Sequence, residues 1–260
     1  MFAQPAAART QAWLFTYSVT PSADGKPLPG GDVLLEVAIW AGSARITVRQ
    51  GALKAMTGEN GTILIRTDDS TMAIVNPVTR EVLKVATGEF GALMSGPIGA
   101  VPLEVSDVTS VTHDRGLDVR RLGYSTRRVE LTQGYTLRLN APVAQRSLRT
   151  DQQLQLSVSR DIGRLDAGFR AFAEQFGRSL ALPASVRRKL RESERAVPAG
   201  FPVRSVTKAV TVSGSDTLRT TTRAEMTALR RERVDTSTFA IPAGFRITEM
   251  SRLMQRPRRP

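Results

Sequence analysis

Cysteine is absent from this chain of 260 residues, and histidine occurs once. The first absence excludes a disulfide framework and any Cys-based zinc site. The second excludes a His-rich metal centre and leaves His113 as the only imidazole available to a Ser-His-Asp triad. His113 and Asp114 are neighbours in sequence, and neighbours on a strand point to opposite faces. His113 therefore reads as a surface or turn residue, and no catalytic residue is expected. Lysine is scarce, five residues against 32 arginines, and aromatics make up only 5%. No stretch approaches the run of about 18 apolar residues that a membrane-spanning helix needs, so the chain reads as soluble. Phosphate and nucleophile motifs are also missing: there is no G-x-G-x-x-G, no P-loop and no G-x-S-x-G. Gly96-Pro97-Ile98-Gly99 lacks the helix start that a phosphate loop requires. Asp68-Asp69 is explained by a hairpin turn before a hard-cation site, and Glu104, Asp107 and Asp118 by solvated strands before an acid–base pair. No cofactor and no metal are expected.

What is present is ample apolar material and a large positive charge. Hydrophobic residues make up 41% of the chain, enough for a sizeable core. The net charge is +13, and the stretch from Val186 to Pro260 alone carries a net +10. Such a field attracts acidic protein surfaces or anionic lipid. Nucleic acid is not an expected partner, because basic residues interleaved with aromatics and a recognition module are both missing. Freedom from cysteine is common in exported bacterial proteins. Residues 1–11 (MFAQPAAARTQ) read either as a flexible N-terminus or as the remnant of a removed export signal, since they include small residues suited to an A-x-A cleavage site.

The first half reads as strands, from aromatic, β-branched and apolar runs and the alternation of Ala44–Arg49. Strands are predicted at Ala12–Thr20, Val33–Ile39 and Ala44–Arg49, then a meander of TILIRT, TMAIV and EVLKV broken at Asp68-Asp69-Ser70 and Asn76-Pro77. Phe90–Pro102 (FGALMSGPIGAVP), apolar but rich in Gly and Pro, reads as a loop folded over the sheet. Further strands are predicted at Leu103–Thr112, Asp118–Leu122, Arg127–Leu131 and Tyr135–Leu139, with breaks at Gly123-Tyr124 and Gln133-Gly134. Ile162, Leu165, Phe169, Phe172 and Phe176 recur at spacings of 3 and 4, predicting one helix over about Asp161–Arg178 capped by Asp161. A second, strongly charged helix is predicted from Pro183. Strands return at Val203–Val212, Thr217–Arg233 (with a bend) and Phe245–Glu249, and residues 251–260 form a basic tail expected to be disordered. No βαβ alternation is visible. The expected fold is mainly β with α (α+β): one domain over residues 12–250, a large curved antiparallel sheet wrapped around one or two helices, with the helical insertion at about 161–195.

The tetrapeptide Pro-Ala-Gly-Phe occurs twice, at 198–201 and 242–245. Pro ends the preceding element, Gly permits a turn closed to other residues, and Phe leads into the next strand. Together with the TMAIVNP hairpin, Gly123-Tyr124, the Gly200-Phe201-Pro202-Val203 closure and Asp235-x-Ser237-x-Phe239-x-x-Pro242-x-Gly244-Phe245, these features resemble the DUF4412 family of exported bacterial proteins, which is similar to the LolA/LolB-like lipoprotein-carrier fold. The resemblance implies a half-barrel, LolA-like, with no assigned chemistry.

Two sets of residues are therefore candidates for function. The apolar set is Ile162, Leu165, Phe169, Phe172 and Phe176 with Leu93 and Met94, either the core or the lining of a hydrophobic-ligand site. The basic set is Arg187, Arg188, Lys189, Arg191, Arg256, Arg258 and Arg259, either a solvated face or a docking patch. The favoured expectation is a non-enzymatic, exported (periplasmic) accessory or scaffolding protein. It would dock on an acidic partner or a membrane-associated complex through its basic C-terminal third. The alternative is a carrier or sensor of a lipid or other hydrophobic ligand.

Overall fold

Alternation of apolar and polar residues turns most of this chain into one sheet. The computed structural model describes residues 8–28, 30–67, 71–86, 103–141, 144–174 and 197–250. Its strands are β1 (Arg9–Ala23), β2 (Lys26–Pro27), β3 (Val33–Trp40), β4 (Ser43–Gln50), β5 (Thr62–Arg66), β6 (Thr71–Asn76), β7 (Glu81–Ala86), β8 (Leu103–Arg121), β9 (Tyr124–Ala141), β10 (Ala144–Ser159), β11 (Phe201–Ser213), β12 (Asp216–Asp235) and β13 (Arg246–Glu249). They hydrogen-bond in the order β13-β7-β6-β5-β4-β3-β1-β12-β11-β10-β9-β8, with β2 beside β1. Among the described residues the sheet is open, with β13 and β8 at its edges. Every pairing is antiparallel except β13 against β7, which is parallel. Helix is scarce: α1 (Lys54–Thr57), α2 (Arg160–Leu165) and α3 (Ala167–Phe172). No helix among the described residues is long and apolar enough to cross a membrane.

The main core lies on one face, here called inner. Phe15 and Tyr17 of β1, Leu35, Val37 and Ile39 of β3, Ile46 and Val48 of β4, Ile63 and Ile65 of β5, and Met72 and Ile74 of β6 all point into it. On these strands the inward residues fall at every second position, as the pleat requires. Helices α2 and α3 bring Ile162, Phe169 and Phe172 onto the same face.

The expected strands at Ala12–Thr20, Val33–Ile39 and Ala44–Arg49 and the three-strand meander are present. Other expectations need correction. Leu103–Thr112 and Asp118–Arg121 belong to one 19-residue strand, and one of its irregularities of register, between Asp114 and Leu117, stands in the gap expected between them. Gln133-Gly134 is no break either. Gly134 sits inside β9, opposite Thr109 and Asp151, and a Cβ there would meet the Arg149 guanidinium and the Asp151 carboxylate at 2.7 Å. A glycine chosen for close approach looks in sequence like one chosen for a turn. β10 is absent from the expected strands: Leu154, Leu156 and Val158 alternate at its end, but its earlier inward positions include the polar Thr150 and Gln152. The predicted long helix is interrupted at Asp166, which is extended (φ −161°, ψ 147°). The cap of α2 is Ser159 rather than Asp161, its side chain accepting from the Ile162 N–H. The second helix, the loop over 90–102 and the tail lie outside the described residues.

The second Pro-Ala-Gly-Phe does more than start a strand. After β12 the chain crosses the outer face of the sheet as a strap, from a 3₁₀ turn at Thr236–Phe239 to β13 beside β7. Asp235 caps the turn, its carboxylate accepting from the Ser237 N–H at 2.8 Å. Phe239 packs on Trp40, ring centroids 5.6 Å apart. Ile241 and Phe245 pack on Leu64, Ala73, Val75 and Val82, which point outward from β5, β6 and β7. This second cluster explains why four successive residues of β5, Thr62 to Ile65, are buried rather than alternate ones. It also explains the parallel pairing, since a strap that spans the intervening strands delivers β13 to the far edge from the side where β12 ends. Phe239→Ala is expected to cost about 2–3 kcal/mol, at or below the lower end for a buried Phe because the strap can partly collapse. Hydrogen exchange should rise selectively in β13 and β7; unchanged exchange there would show that the strap does not hold the edge.

Candidate functional site

Three places in this fold combine unusual chemistry with position. The first is the aromatic cluster under the helices. Phe15 stacks on Phe169 at 5.7 Å and meets Phe172 edge-on at 5.4 Å. Phe201 touches Phe15, Phe169 and Phe172 at 5.3–5.8 Å, and Tyr17 meets Phe172 at 5.5 Å. These offset and edge-to-face arrangements are the favoured ones for aromatic rings. The helices sit close because glycines let them. A Cβ on Gly163 would meet the Gly200 backbone at 3.0 Å, and one on Gly168 would meet the Ser43 carbonyl at 2.7 Å. Phe201, from the first Pro-Ala-Gly-Phe, thereby enters the cluster as the first residue of β11.

Asp166 locks this layer to the sheet. Its carboxylate accepts from the Ala41 and Gly42 N–H groups at the tip of the β3–β4 hairpin, each at 2.7 Å, and from the Gly168 N–H at 2.8 Å. Beyond the cluster the inner face turns polar. The Gln152 amide donates to the Gln133 carbonyl oxygen, and the hydroxyls of Thr150 and Thr211 lie 3.1 Å apart. Burial pushes the Tyr17 and Tyr135 phenols up, against the opposing pull of Ser205 and Thr150.

The second place is the outer face of β11 and β12. Arg204 and Lys208 project from β11, and Arg219 and Arg223 from β12. Lys208 lies opposite Thr221, between Arg219 and Arg223. The acid of this group, Glu225, is bonded to Arg121 at 3.2 Å. Exposed Val210 and Val212 stand beside the cations.

The third place is a cleft of about 380 Å³ on the outer face of β1, β3, β4 and β12, beside the strap. A bulge in β12 creates it. Thr16 faces Thr227 and Leu14 faces Arg230, so two residues, Ala228 and Leu229, stand against Phe15. Ala228 takes a positive φ of 55°. The extra residue inverts the faces: odd residues point outward before it, and Arg230 and Val234 do so after it, lining the cleft. Arg45 reaches in from β4, its guanidinium donating to the Thr238 carbonyl at 3.0 Å. Burial, and secondarily Arg49, pulls the Arg45 guanidinium below its ordinary range. Sequence reasoning missed this cleft. The spacing of three between Met226 and Leu229, both facing the core, was the available signal.

The titratable groups weighed from sequence are dispersed. His113 is exposed on β8 opposite Glu130. Asp118 is not simply solvated. Burial pushes its carboxyl up, but the Ser157 hydroxyl, the Val119 N–H, Arg128 and Arg121 outweigh this and hold it below the usual range. Glu104 and Asp107 are exposed, and Asp107 accepts from the Ser106 hydroxyl. No group of three or more His, Cys, Asp or Glu among the described residues could hold a metal. Of the apolar candidates, Ile162, Phe169 and Phe172 are buried together and Leu165 packs against them. Phe176, Leu93, Met94, Asp68, Asp69 and the basic set Arg187, Arg188, Lys189, Arg191, Arg256, Arg258 and Arg259 lie outside the described residues.

No curated protein matches this chain. Among solved structures, the chain is similar to a LolA superfamily protein from Nitrosomonas europaea, at 6% identity and a TM-score of 0.35, over 88% of this chain and 90% of that one. Residues 142–245 match the family described as "Domain of unknown function (DUF4412)". Two of the four resembling pieces, the Gly200–Val203 closure and the Asp235–Phe245 motif, fall within that match; the TMAIVNP hairpin and Gly123-Tyr124 precede it. The segment 142–245, which supplies β10, α2, α3, β11, β12 and the strap, is thus the part of this chain that is similar to the DUF4412 family.

Proposed function

We propose that this protein is an exported, non-enzymatic docking subunit that binds the acidic surface of a partner protein in a membrane-associated assembly. In this reading the sheet is a half-barrel closed around α2 and α3, which leaves its outer face free to dock. The supporting observation is the row formed by Arg204, Lys208, Arg219 and Arg223 on the outer face of β11 and β12, with exposed Val210 and Val212 alongside. Cations with apolar neighbours and one already engaged acid suit a negatively charged protein surface better than water alone. Guanidiniums supply planar, bidentate pairing with carboxylates.

Opposed charges at such a rim speed encounter and weaken with salt. Raising ionic strength from about 0.05 M to 0.5 M shortens the screening length severalfold. Capture of one acidic partner from a membrane extract is therefore expected at the lower salt and lost at the higher. The triple variant Lys208→Glu, Arg219→Glu, Arg223→Glu should lose that partner even at low salt. Capture insensitive to both changes, or equal binding of the wild type to protein-free anionic vesicles, would overturn the reading.

Carriage of a hydrophobic ligand is the second reading. It draws on the apolar cluster of Val129, Leu131, Leu156 and Val158 on β9 and β10. Beneath α2 and α3 the space is taken by the rings themselves, so a carried ligand would lie beside them.

A further inference from the structure

We propose that the cleft beside the strap is a binding site for a small organic carboxylate with an apolar body. This inference is independent of the docking surface on β11 and β12. The register lays Arg230, Leu14, Ala38 and Arg45 in one row across four strands. Three strand spacings separate its ends, about 14 Å. The middle of the row is low and apolar, Leu14 and Ala38, with Val234 beside it, while arginines stand at both ends. Thr16, Thr47 and Thr238 add hydroxyls around the rim.

The charges in the cleft are unequally compensated. Glu36 is paired with Arg49 at 2.7 Å, and the Arg230 Nε donates to Glu232 at 3.1 Å. Arg45 has no carboxylate partner among the described residues; its one bond is to the Thr238 carbonyl. A half-buried guanidinium bonded only to a neutral oxygen retains several donors and an uncompensated charge. One free positive charge above an apolar floor calls for one negative charge on an apolar body, which is a carboxylate rather than a dianionic phosphate. The volume, about 380 Å³, is that of a small-molecule site.

The fold supplies its own reporter. Trp40 packs on Phe239, the residue after Thr238. Trp13 is the other tryptophan of the chain, so Trp13→Phe leaves Trp40 alone. Titration of that variant with octanoate should give a saturable change in Trp40 emission, with Kd below about 1 mM. Octanol, the same chain without charge, should bind about tenfold or more weaker, and inorganic phosphate should leave emission unchanged. Arg45→Gln should weaken octanoate binding by a similar factor. Ala38→Leu keeps every charge and fills the floor, so it should abolish binding without depending on the Arg45–Thr238 bond; circular dichroism would verify that both variants fold. Equal affinity for octanol, tighter binding of phosphate, indifference to both substitutions, or no binding at about 10 mM octanoate would each overturn the proposal. None of these outcomes bears on salt-dependent capture by the β11–β12 face, so the two ideas fail separately.

Discussion

Phe172→Ala is expected to destabilise the protein by about 3–5 kcal/mol, the range for removing a fully buried aromatic side chain. Phe172 is wholly buried and contacts Phe15, Tyr17 and Phe201. Its loss forfeits apolar burial and three ring contacts, and it opens a void that short helices held at Gly163 and Gly168 have little freedom to close. With total stabilities of about 5–15 kcal/mol, such a loss is a large share of the whole. Urea unfolding followed by far-ultraviolet circular dichroism measures it, with an unchanged slope confirming that stability alone has altered. A loss below about 1 kcal/mol would mean that the rings border open space, and would favour a ligand site directly beneath the helices.

Asp166→Ala is expected to cost about 2–4 kcal/mol, because three backbone N–H groups lose a charged acceptor together. Two of them belong to Ala41 and Gly42, whose positive φ values of 48° and 78° form the tight hairpin turn. Alanine is disfavoured there by about 1–2 kcal/mol, and the carboxylate offsets that strain from across the core. Asp166→Asn retains one acceptor oxygen and should cost less than Asp166→Ala. Ala41→Gly should recover part of the loss, about 1 kcal/mol, by relieving the turn. Equal stability of wild type and Asp166→Ala in urea would show that the hairpin holds itself.

The apolar half of the molecule was the more legible. β1, β3 and β4 alternate because one of their faces meets the core, and period-2 patterning reports that directly; the meander, buried on both faces, was legible from its short apolar runs and the turn residues between them. Ile162, Phe169 and Phe172 were grouped by their helical spacing, and they do share one cluster even though Asp166 divides the helix. A kink at an acidic cap leaves the apolar spacing intact, so periodicity could not register it. β10 escaped because its buried Gln152 bonds Gln133 of β9 and its buried Thr150 bonds Thr211 of β11, and a buried polar residue looks solvated until its partner is known.

By itself the sequence determined the fold class, the inner apolar stripe, the strand starts at both Pro-Ala-Gly-Phe motifs and the excess of positive charge toward the C-terminus. Each depends on local chemistry or on a period read along the chain. Tertiary structure alone decided which cations share a face, that Asp166 ties the helices to a hairpin 125 residues away, and that Phe239, Ile241 and Phe245 cross the sheet as a strap. It also decided the cleft, because one extra residue at Ala228 turns Arg230 outward to face Arg45 across two intervening strands. Register and crossover are relations between distant segments, and a chain read in one dimension carries the residues of such relations without their pairing.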